Sequence, residues 1–417
     1  MTPAQPESNQ PPIDVVGLGM AEAPPTDPVA RQALAAADVV IGSERQLAAV
    51  DTPQAVRLPY PSPFSELTEL LSRYADSRVC LLASGDPLWH GVGGWALAQL
   101  PSERLRFHPA PSSVQVACAR AGRRVDTIET VSVHGRPLER LRARLHANRS
   151  YALLGDDIAT PQAVAAELIT AGFGQSSICV AERLGTDEER LTESDAEQLA
   201  QAETPFDTLH VTLVHTRGPG GVLPEFPGLP DTAFETGTEP GKGLITKREV
   251  RLSVLAELAP RAGDVGWDIG AGCGGVAIEW ARWNPNGCVY AVERDAGRFE
   301  HLTTNRDRFG VGANLHLVND DALAILGDWP DPDAVLIGGH DGALESLLTT
   351  AHARLRPGGR LVATAVTEGA RSVLVSFAEH HGARLSEIAV SRGADLNGTT
   401  VMRPQLPVMI LALGGPA

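Results

Sequence analysis

VGWDIGAGCGG, residues 265–275, is the stretch from which the fold is read. An apolar strand from Asp264 to Ile269 runs directly into Gly270, Gly272 and Gly274, and a helix follows. Glycines at that turn let the backbone pass close beneath a ligand with dihedrals that side chains forbid, and the helix start offers free N–H donors. Glu293 closes the next strand, in VYAVER, where a carboxylate can accept two hydrogen bonds from ribose hydroxyls. Asp268 precedes the first glycine by two residues, and Asp321 stands in VNDDALAIL after the third strand. Three readings fit this pattern. One is a tight turn with a solvated Glu. A second is an NAD fingerprint, which also places glycines after the first strand and an acid after the second. The third is an S-adenosylmethionine (SAM) cradle, with Asp268 on the amino-acid part of the ligand and Asp321 on the adenine amine. The two aspartates favour the third, although either alone reads as a helix cap or turn residue.

Outward from this point the chain keeps alternating strand and helix. A helix near Lys247 to Leu258 precedes the glycine strand, and apolar runs at Gly287 to Val292, Leu315 to Val318, Ala334 to Ile337 and Arg360 to Thr364 follow it. Helical stretches between them predict a doubly wound, mostly parallel sheet. The earlier half repeats the α/β character with other spacings, in runs at Ile13 to Val16, Val79 to Ala83, Tyr151 to Leu154, Ile178 to Val180 and His210 to Val214. Between Arg217 and Gly243 the sequence is crowded with Gly and Pro, which break helices and ladders. The expected plan is a domain at 12–217, a linker at 218–242 and a second domain at 243–415.

At 417 residues, two cores are the default. A net charge of −16 argues against a sequence-independent grip on nucleic acid, which needs a broad basic surface. A carboxylate-rich small molecule is compatible with that charge, because local arginines can bind it; Lys242 and Lys247 are the only lysines. Five cysteines without C-x-x-C spacing indicate neither a disulfide framework nor a thiolate metal site, and no metal is expected. No apolar run reaches membrane-spanning length, and no signal sequence opens the chain. A cytoplasmic homo-oligomer without membrane or nucleic-acid partner is the expectation.

The earlier half carries its own series of motifs: Gly17 and Gly19 after the first strand, ASGDPLWHGVG at Ala83 to Gly93, HPAPSSVQVACARAG at His108 to Gly122, VHGRP at Val133 to Pro137, then TPQAVAAELITAGF and AERLGTDEE. In this order they resemble the tetrapyrrole methylase family, in the branch that methylates C5 of a precorrin. The later half, through GLITKREVR, WDIGAGCG, AVER, the RFG at Arg308 to Gly310, VLIGGHDG and LRPGGRLVATAVT, resembles the cobalamin-pathway methyltransferases that modify C15 of a precorrin and remove an acetate carboxyl.

The resemblance implies a two-lobed tetrapyrrole methylase domain followed by a Rossmann-like SAM methyltransferase domain, with one SAM site in each. It implies conversion of precorrin-6B to precorrin-8 by methylation at C5 and C15, with loss of the ring C acetate carboxyl. By it Thr246, Gly270, Gly272, Glu293 and Asp321 lie around SAM in the later half, and Gly338 to Gly342 border the tetrapyrrole pocket. In the earlier half Gly17, Gly19, Gly85, Ser112 and Ser113 are the expected SAM-binding residues of the cleft, and Asp86, at a strand end, is the candidate catalytic carboxylate aimed into it; an Asp-Pro turn and a serine helix cap are the bland readings of Asp86 and the serines. The loop Met20, Ala21, Glu22, Ala23 departs from the family, which commonly continues there with glycine. His340 and Asp341 are an adjacent His and carboxylate at a strand end and could steer a proton during decarboxylation, or form an ordinary polar loop. Arg248, Arg251, Arg123, Arg136 and Arg392 are candidates to meet substrate carboxylates. Two alternatives stay open: a methyltransferase with another small acceptor, and a SAM-binding regulator.

Overall fold

In the computed structural model the structure describes residues 10–218, 227–238, 243 and 245–415. Its contacts divide into two compact units, one built from the residues through Gly135 with Asn148–Ile169 and Gly174–Gly218, the other from Arg136–Ala147, Thr170–Phe173 and the chain after Gly218.

The first unit holds two five-stranded sheets. Strands β1 (Ile13–Leu18), β2 (Val39–Gly42), β3 (Val56–Pro59), β4 (Val79–Ser84) and β5 (Leu105–His108) pair in parallel, in the order β3-β2-β4-β1-β5. Val15, Val16, Leu81 and Leu82 are buried without interruption, as expected of central parallel strands covered on both faces. The second sheet, β6 (Ile128–Ser132), β7 (Ser150–Leu154), β8 (Ser177–Glu182), β9 (Arg190–Asp195) and β10 (His210–His215), runs β6-β7-β10-β8-β9 and is antiparallel except for β6 on β7.

The second unit is one seven-stranded sheet in the order β13-β12-β11-β14-β15-β19-β16. Strands β11 (Val265–Ile269), β12 (Cys288–Val292), β13 (Leu315–Val318), β14 (Ala334–Ile337) and β15 (Arg360–Ala365) are parallel and fall where the sequence predicts them, within a residue at each end. The chain winds outward from β11 to β13 and then returns to β14, so strand order reverses beside β11, the place where open α/β sheets bind ligands. The α/β class, two-lobed domain first and Rossmann-like domain second, is therefore as the sequence predicts.

Alternation along β11 explains its residues. Trp267 and Ile269 enter one core layer with Trp329 and Leu348, while Gly266 and Asp268 face the helix Gly275–Trp283. A Cβ on Gly266 would stand 2.4 Å from the Trp280 ring, so only glycine lets that helix lie down on the strand.

Three features go beyond the sequence reading. Strands β16 (Arg384–Ile388) and β19 (Val408–Leu413) close the sheet in antiparallel fashion. Between them β17 (Ser391–Leu396) and β18 (Thr399–Pro404) form a separate hairpin, turned by Asn397 and Gly398 with φ of 52° and 79°. Of the stretch read as a linker, 219–226 and 239–242 lie outside the described residues, whereas Leu229, Asp231, Ala233 and Phe234 are buried in the second unit. Among the described residues no helix is long and apolar enough to cross a membrane.

Candidate functional site

A cavity of about 650 Å³ opens at the carboxyl ends of β11, β12 and β14. Its lining includes Thr246, Asp268, Gly270, Gly272, Glu293, Asp321, His340 and Asp341, so the structure brings together residues 95 positions apart in sequence. Gly274 is absent from that lining; it caps the helix Gly275–Trp283 with φ of 89°, packed on Leu302.

The glycine loop is fastened to the neighbouring strand. Gly270 and Ala271 N–H both donate to the Val292 carbonyl at 3.0 Å. Buried Glu293 then accepts from Gly272 N–H through Oε2 and from Asp295 N–H through Oε1, each at 2.9 Å. Each carboxylate oxygen keeps a further lone pair, so Glu293 can shape the loop and still accept from ligand hydroxyls. A Cβ on Gly270, whose φ is 71°, would lie 2.5 Å from the Gly339 backbone, because the ends of β11 and β14 converge there. Asp268 is 1% exposed and its Oδ2 has no partner among the described residues. Burial pushes its carboxyl up to about 7, against an opposing hydrogen bond from Ala277 N–H, and the nearby Glu293 charge adds to the rise. A cationic group in the cavity would meet an acid poised to ionise.

Asp321 is the N-cap of the short helix Ala322–Ile325, accepting from Leu323 N–H at 3.0 Å, so the bland reading of this residue describes its local role while its side chain still lines the cavity. His340 Nδ1 accepts from Gly342 N–H at 3.2 Å, which leaves Nε2 to carry the ring proton. Asp341 has a left-handed φ of 43° and pairs with Arg294 at 2.8 Å. Toward β16 and β19 the lining becomes apolar, with Val366, Ile388, Val390, Leu406 and Val408.

The cations differ from those the sequence singled out. Arg251 is fully buried, bound to Glu279 at 2.6 Å and Asp231 at 2.9 Å, and cannot meet a substrate carboxylate. Arg248 donates to the Gly228 carbonyl, and Arg392 pairs with Glu249 at 2.6 Å; neither lines the cavity. Lys247, Arg294 and Arg298 do. The available signal was position: Arg294 directly follows the strand-closing Glu293.

In the first unit the ends of β1 and β4 converge. A Cβ on Gly17 would stand 2.1 Å from the Gly85 carbonyl oxygen, and one on Gly85 would stand 3.0 Å from Ser112 Cα. Gly85 N–H donates to the Leu18 carbonyl at 2.8 Å, and Gly19 N–H to the Ala23 carbonyl at 2.7 Å. Asp86 accepts from Leu88 N–H at 2.9 Å in an Asp-Pro turn. Ser112 forms a capping box with Gln115, and Ser113 begins the same helix. Arg123 of this unit approaches Glu193 at 3.5 Å, and Arg136 is exposed. Glu22, which the sequence offers only as part of a departing loop, is 5% exposed and left-handed at φ of 57°, accepts from Ser84 Oγ at 2.9 Å and pairs with Arg45 at 2.6 Å. It occupies the loop that departs from the family, where glycine would ordinarily supply a left-handed backbone.

Comparison with known proteins matches two family descriptions, tetrapyrrole (corrin/porphyrin) methylases at residues 13–200 and the precorrin methyltransferase domain at 239–414. The chain is 35% identical over 409 residues to a precorrin-6Y C(5,15)-methyltransferase [decarboxylating] from Sinorhizobium, covering 97% of both chains. It is 31% identical over 189 residues, 45% of this chain and 96% of the relative, to a probable cobalt-precorrin-6B C(15)-methyltransferase (decarboxylating) from Methanothermobacter thermautotrophicus. Among solved structures, the C-terminal domain of precorrin-6Y C5,15-methyltransferase from Rhodobacter capsulatus aligns at 33% identity and a TM-score of 0.42, over 46% of this chain and all of that one.

Proposed function

From the premise that the chain belongs to the decarboxylating precorrin-6Y C5,15-methyltransferases, we propose that it methylates a precorrin at C5 and C15 and removes the ring C acetate carboxyl, taking precorrin-6B to precorrin-8. The observation that carries this reading is the cavity of the second unit, where a glycine loop, a buried carboxyl with one oxygen unpartnered among the described residues and a strand-closing acid meet at the reversal of strand order. Residues 12–217 would serve C5 and 243–415 would serve C15, joined through 218–242; the two family matches support that order, while the second compact unit also takes in Arg136–Ala147, Thr170–Phe173 and the buried Leu229, Asp231, Ala233 and Phe234 of the joining stretch.

SAM, at one site in each domain, supplies an electrophilic methyl when bound. Thr246, Asp268, Gly270, Gly272, Glu293 and Asp321 fit its donors in the second unit: Asp268 Oδ2 suits an ammonium, Glu293 a pair of hydroxyls and Asp321 an amine. Gly274 supports the site from behind by capping the helix beneath the loop. In the first unit Gly17, Gly19, Gly85, Asp86, Ser112 and Ser113 would shape the corresponding cleft. Methyl transfer is an in-line displacement, so the protein's task is to hold the acceptor carbon opposite the departing sulfur; no nucleophilic Ser or Cys is needed. The apolar rim by Ile388, Val390 and Leu406 offers a face to the flat macrocycle, whose conjugation accepts the electrons released as carbon dioxide departs. His340, on the adjoining loop with its Nδ1 taken by Gly342 N–H, is the candidate to move a proton. Asp341 is held by Arg294. The enzyme would act in the cytoplasm as a homo-oligomer on a small-molecule substrate.

Mass spectrometry of precorrin-6B incubated with SAM and the whole chain tests the proposal. Gain of two methyl groups and loss of one carboxyl are expected. Bound SAM with unchanged precorrin would overturn it in favour of another acceptor.

A further inference from the structure

We propose that Arg294 is the receptor for one retained carboxylate of the tetrapyrrole, and that Asp341 is its counter-ion until that carboxylate arrives. This deepens the reading above and rests on it, since it takes the cavity's occupant to be a polycarboxylate.

Arg294 follows the end of β12 and Asp341 lies in the loop after β14. Those strands flank β11 on either side, so the guanidinium and carboxylate, 2.8 Å apart, meet across the carboxyl end of the strand that carries the glycine loop. Both line the cavity. The next nearest acid is Asp321, from the loop after β13, at 3.9 Å.

Its exposure decides how it behaves. Arg294 is 58% and Asp341 63% exposed, so the pair is solvated and screened and is easily exchanged for another carboxylate. A carboxylate delivered into the cavity by a bound macrocycle is already oriented and can take both guanidinium donors at once, which a mobile surface Asp gains little from doing. The other guanidinium in the lining, Arg298, stands 3.8 Å from Glu293, whose carboxylate is buried and fixed by two backbone N–H groups. Arg294 alone of the two has a partner that can swing away.

The bound carboxylate is one that the product keeps. A guanidinium on the carboxyl that leaves as carbon dioxide would stabilise the charge which the transition state must disperse into the macrocycle, and so would slow its loss. Arg294 thus anchors a neighbouring side chain and registers the ring, and Asp341 competes with the substrate without touching the reacting atoms.

Steady-state kinetics of the full chain with precorrin-6B, read as carbon dioxide release, together with SAM binding by calorimetry, tests this. Arg294→Gln is expected to raise KM for precorrin-6B about tenfold or more, with SAM affinity intact and the ratio of methyl gained to carboxyl lost unchanged. Asp341→Asn is expected to act in the opposite direction, lowering KM severalfold, and to have no effect in the Arg294→Gln background. Arg294→Lys, a point charge without the fork, is expected to fall between. Weakened SAM binding in Arg294→Gln would overturn the proposal by assigning the guanidinium to the methyl donor. A collapse of kcat in Asp341→Asn would overturn it by placing that carboxylate on the reacting atoms, and an unchanged KM in Arg294→Gln would overturn it outright. If the unaltered chain binds SAM but never consumes precorrin-6B, the substrate reading itself fails, a result separate from any of these.

Discussion

Asp268 shows how one burial decision couples fold and ligand. The period of β11 turns it toward the helix Gly275–Trp283, where it is 1% exposed, and desolvation then favours its neutral form, up to about pH 7. SAM carries positive charge on its sulfonium and its ammonium, and either near Oδ2 would favour the ionised form. Affinity for SAM is therefore expected to rise as pH increases toward about 7 and to level off above it, with a proton released on binding below that point. Calorimetry at several pH values in buffers of different ionisation enthalpy measures both, and Asp268→Asn should bind more weakly with a flatter profile. If the asparagine variant keeps the same slope, another group is responsible. The ligand-free protein carries the mirror effect. In the unfolded chain the carboxyl titrates near 3.8, so the folded state holds the proton more tightly, and stability from this group is full below about pH 4 and lost as pH rises through about 7. The stability of the parent chain relative to Asp268→Asn should fall across that window, by an amount on the order of 4 kcal/mol at most.

At the scale of elements, the ends of β11 and β14 meet so closely that Gly270 has two reasons to be glycine. Alanine there would incur a left-handed penalty of about 1–2 kcal/mol and would also press on the Gly339 backbone 2.5 Å away. Gly342, with φ of 90° and open space around its Cβ position, has only the first reason. Gly270→Ala is expected to lower the melting point and abolish SAM binding, whereas Gly342→Ala should leave SAM affinity within a few-fold; parallel thermal melts and binding isotherms check the pair, and equal effects would mean that the close approach is unimportant. These buried strands were legible in the sequence because parallel strands covered on both faces read as unbroken apolar runs. The hairpin of β17 and β18 was not, since it is mostly exposed and has no core face to impose alternation; its Asn397-Gly398 turn was the one mark it left. The acids that line the cavity, Asp268, Glu293 and Asp321, were legible for the same positional reason as the strands, each standing at or just beyond a strand end. The arginines were not, because an arginine's role depends on which acid the fold delivers to it: Arg251 meets Glu279, 28 residues on, and is spent in the core, while Arg294 meets Asp341 at the cavity.

For the molecule as a whole, the question is where the second folding unit begins. Composition alone places the boundary at the last glycines before Thr246, yet residues 228–234 complete a buried charge cluster. Arg251 binds Glu279 at 2.6 Å, Asp231 at 2.9 Å and the Thr246 carbonyl at 2.6 Å, also donates to the Leu229 carbonyl, and lies 5.0 Å over the Phe234 ring. Gly228 and Leu229 N–H in turn donate to Glu279 at 2.5 and 3.2 Å. Stripping partners from a buried ion pair costs roughly 3–5 kcal/mol, against a typical domain stability of about 5–15 kcal/mol. A fragment of residues 243–417 would keep Arg251 and Glu279 buried while losing Asp231, the Leu229 carbonyl and the Phe234 ring. A fragment of 227–417 would keep them all. The shorter fragment is expected to melt well below the longer one by circular dichroism. It should also lose SAM affinity, since Arg251 holds the Thr246 carbonyl and Thr246 lines the cavity. Both fragments lack Arg136–Ala147, so the difference between them isolates the contribution of 227–242. Equal melting points would show that the cluster can rearrange around the loss. A lower melting point with SAM binding retained would separate the anchor of the fold from the wall of the site. Loss of both together would mean that the Gly- and Pro-rich stretch, which the sequence presents as a spacer, is part of the catalytic unit that follows it.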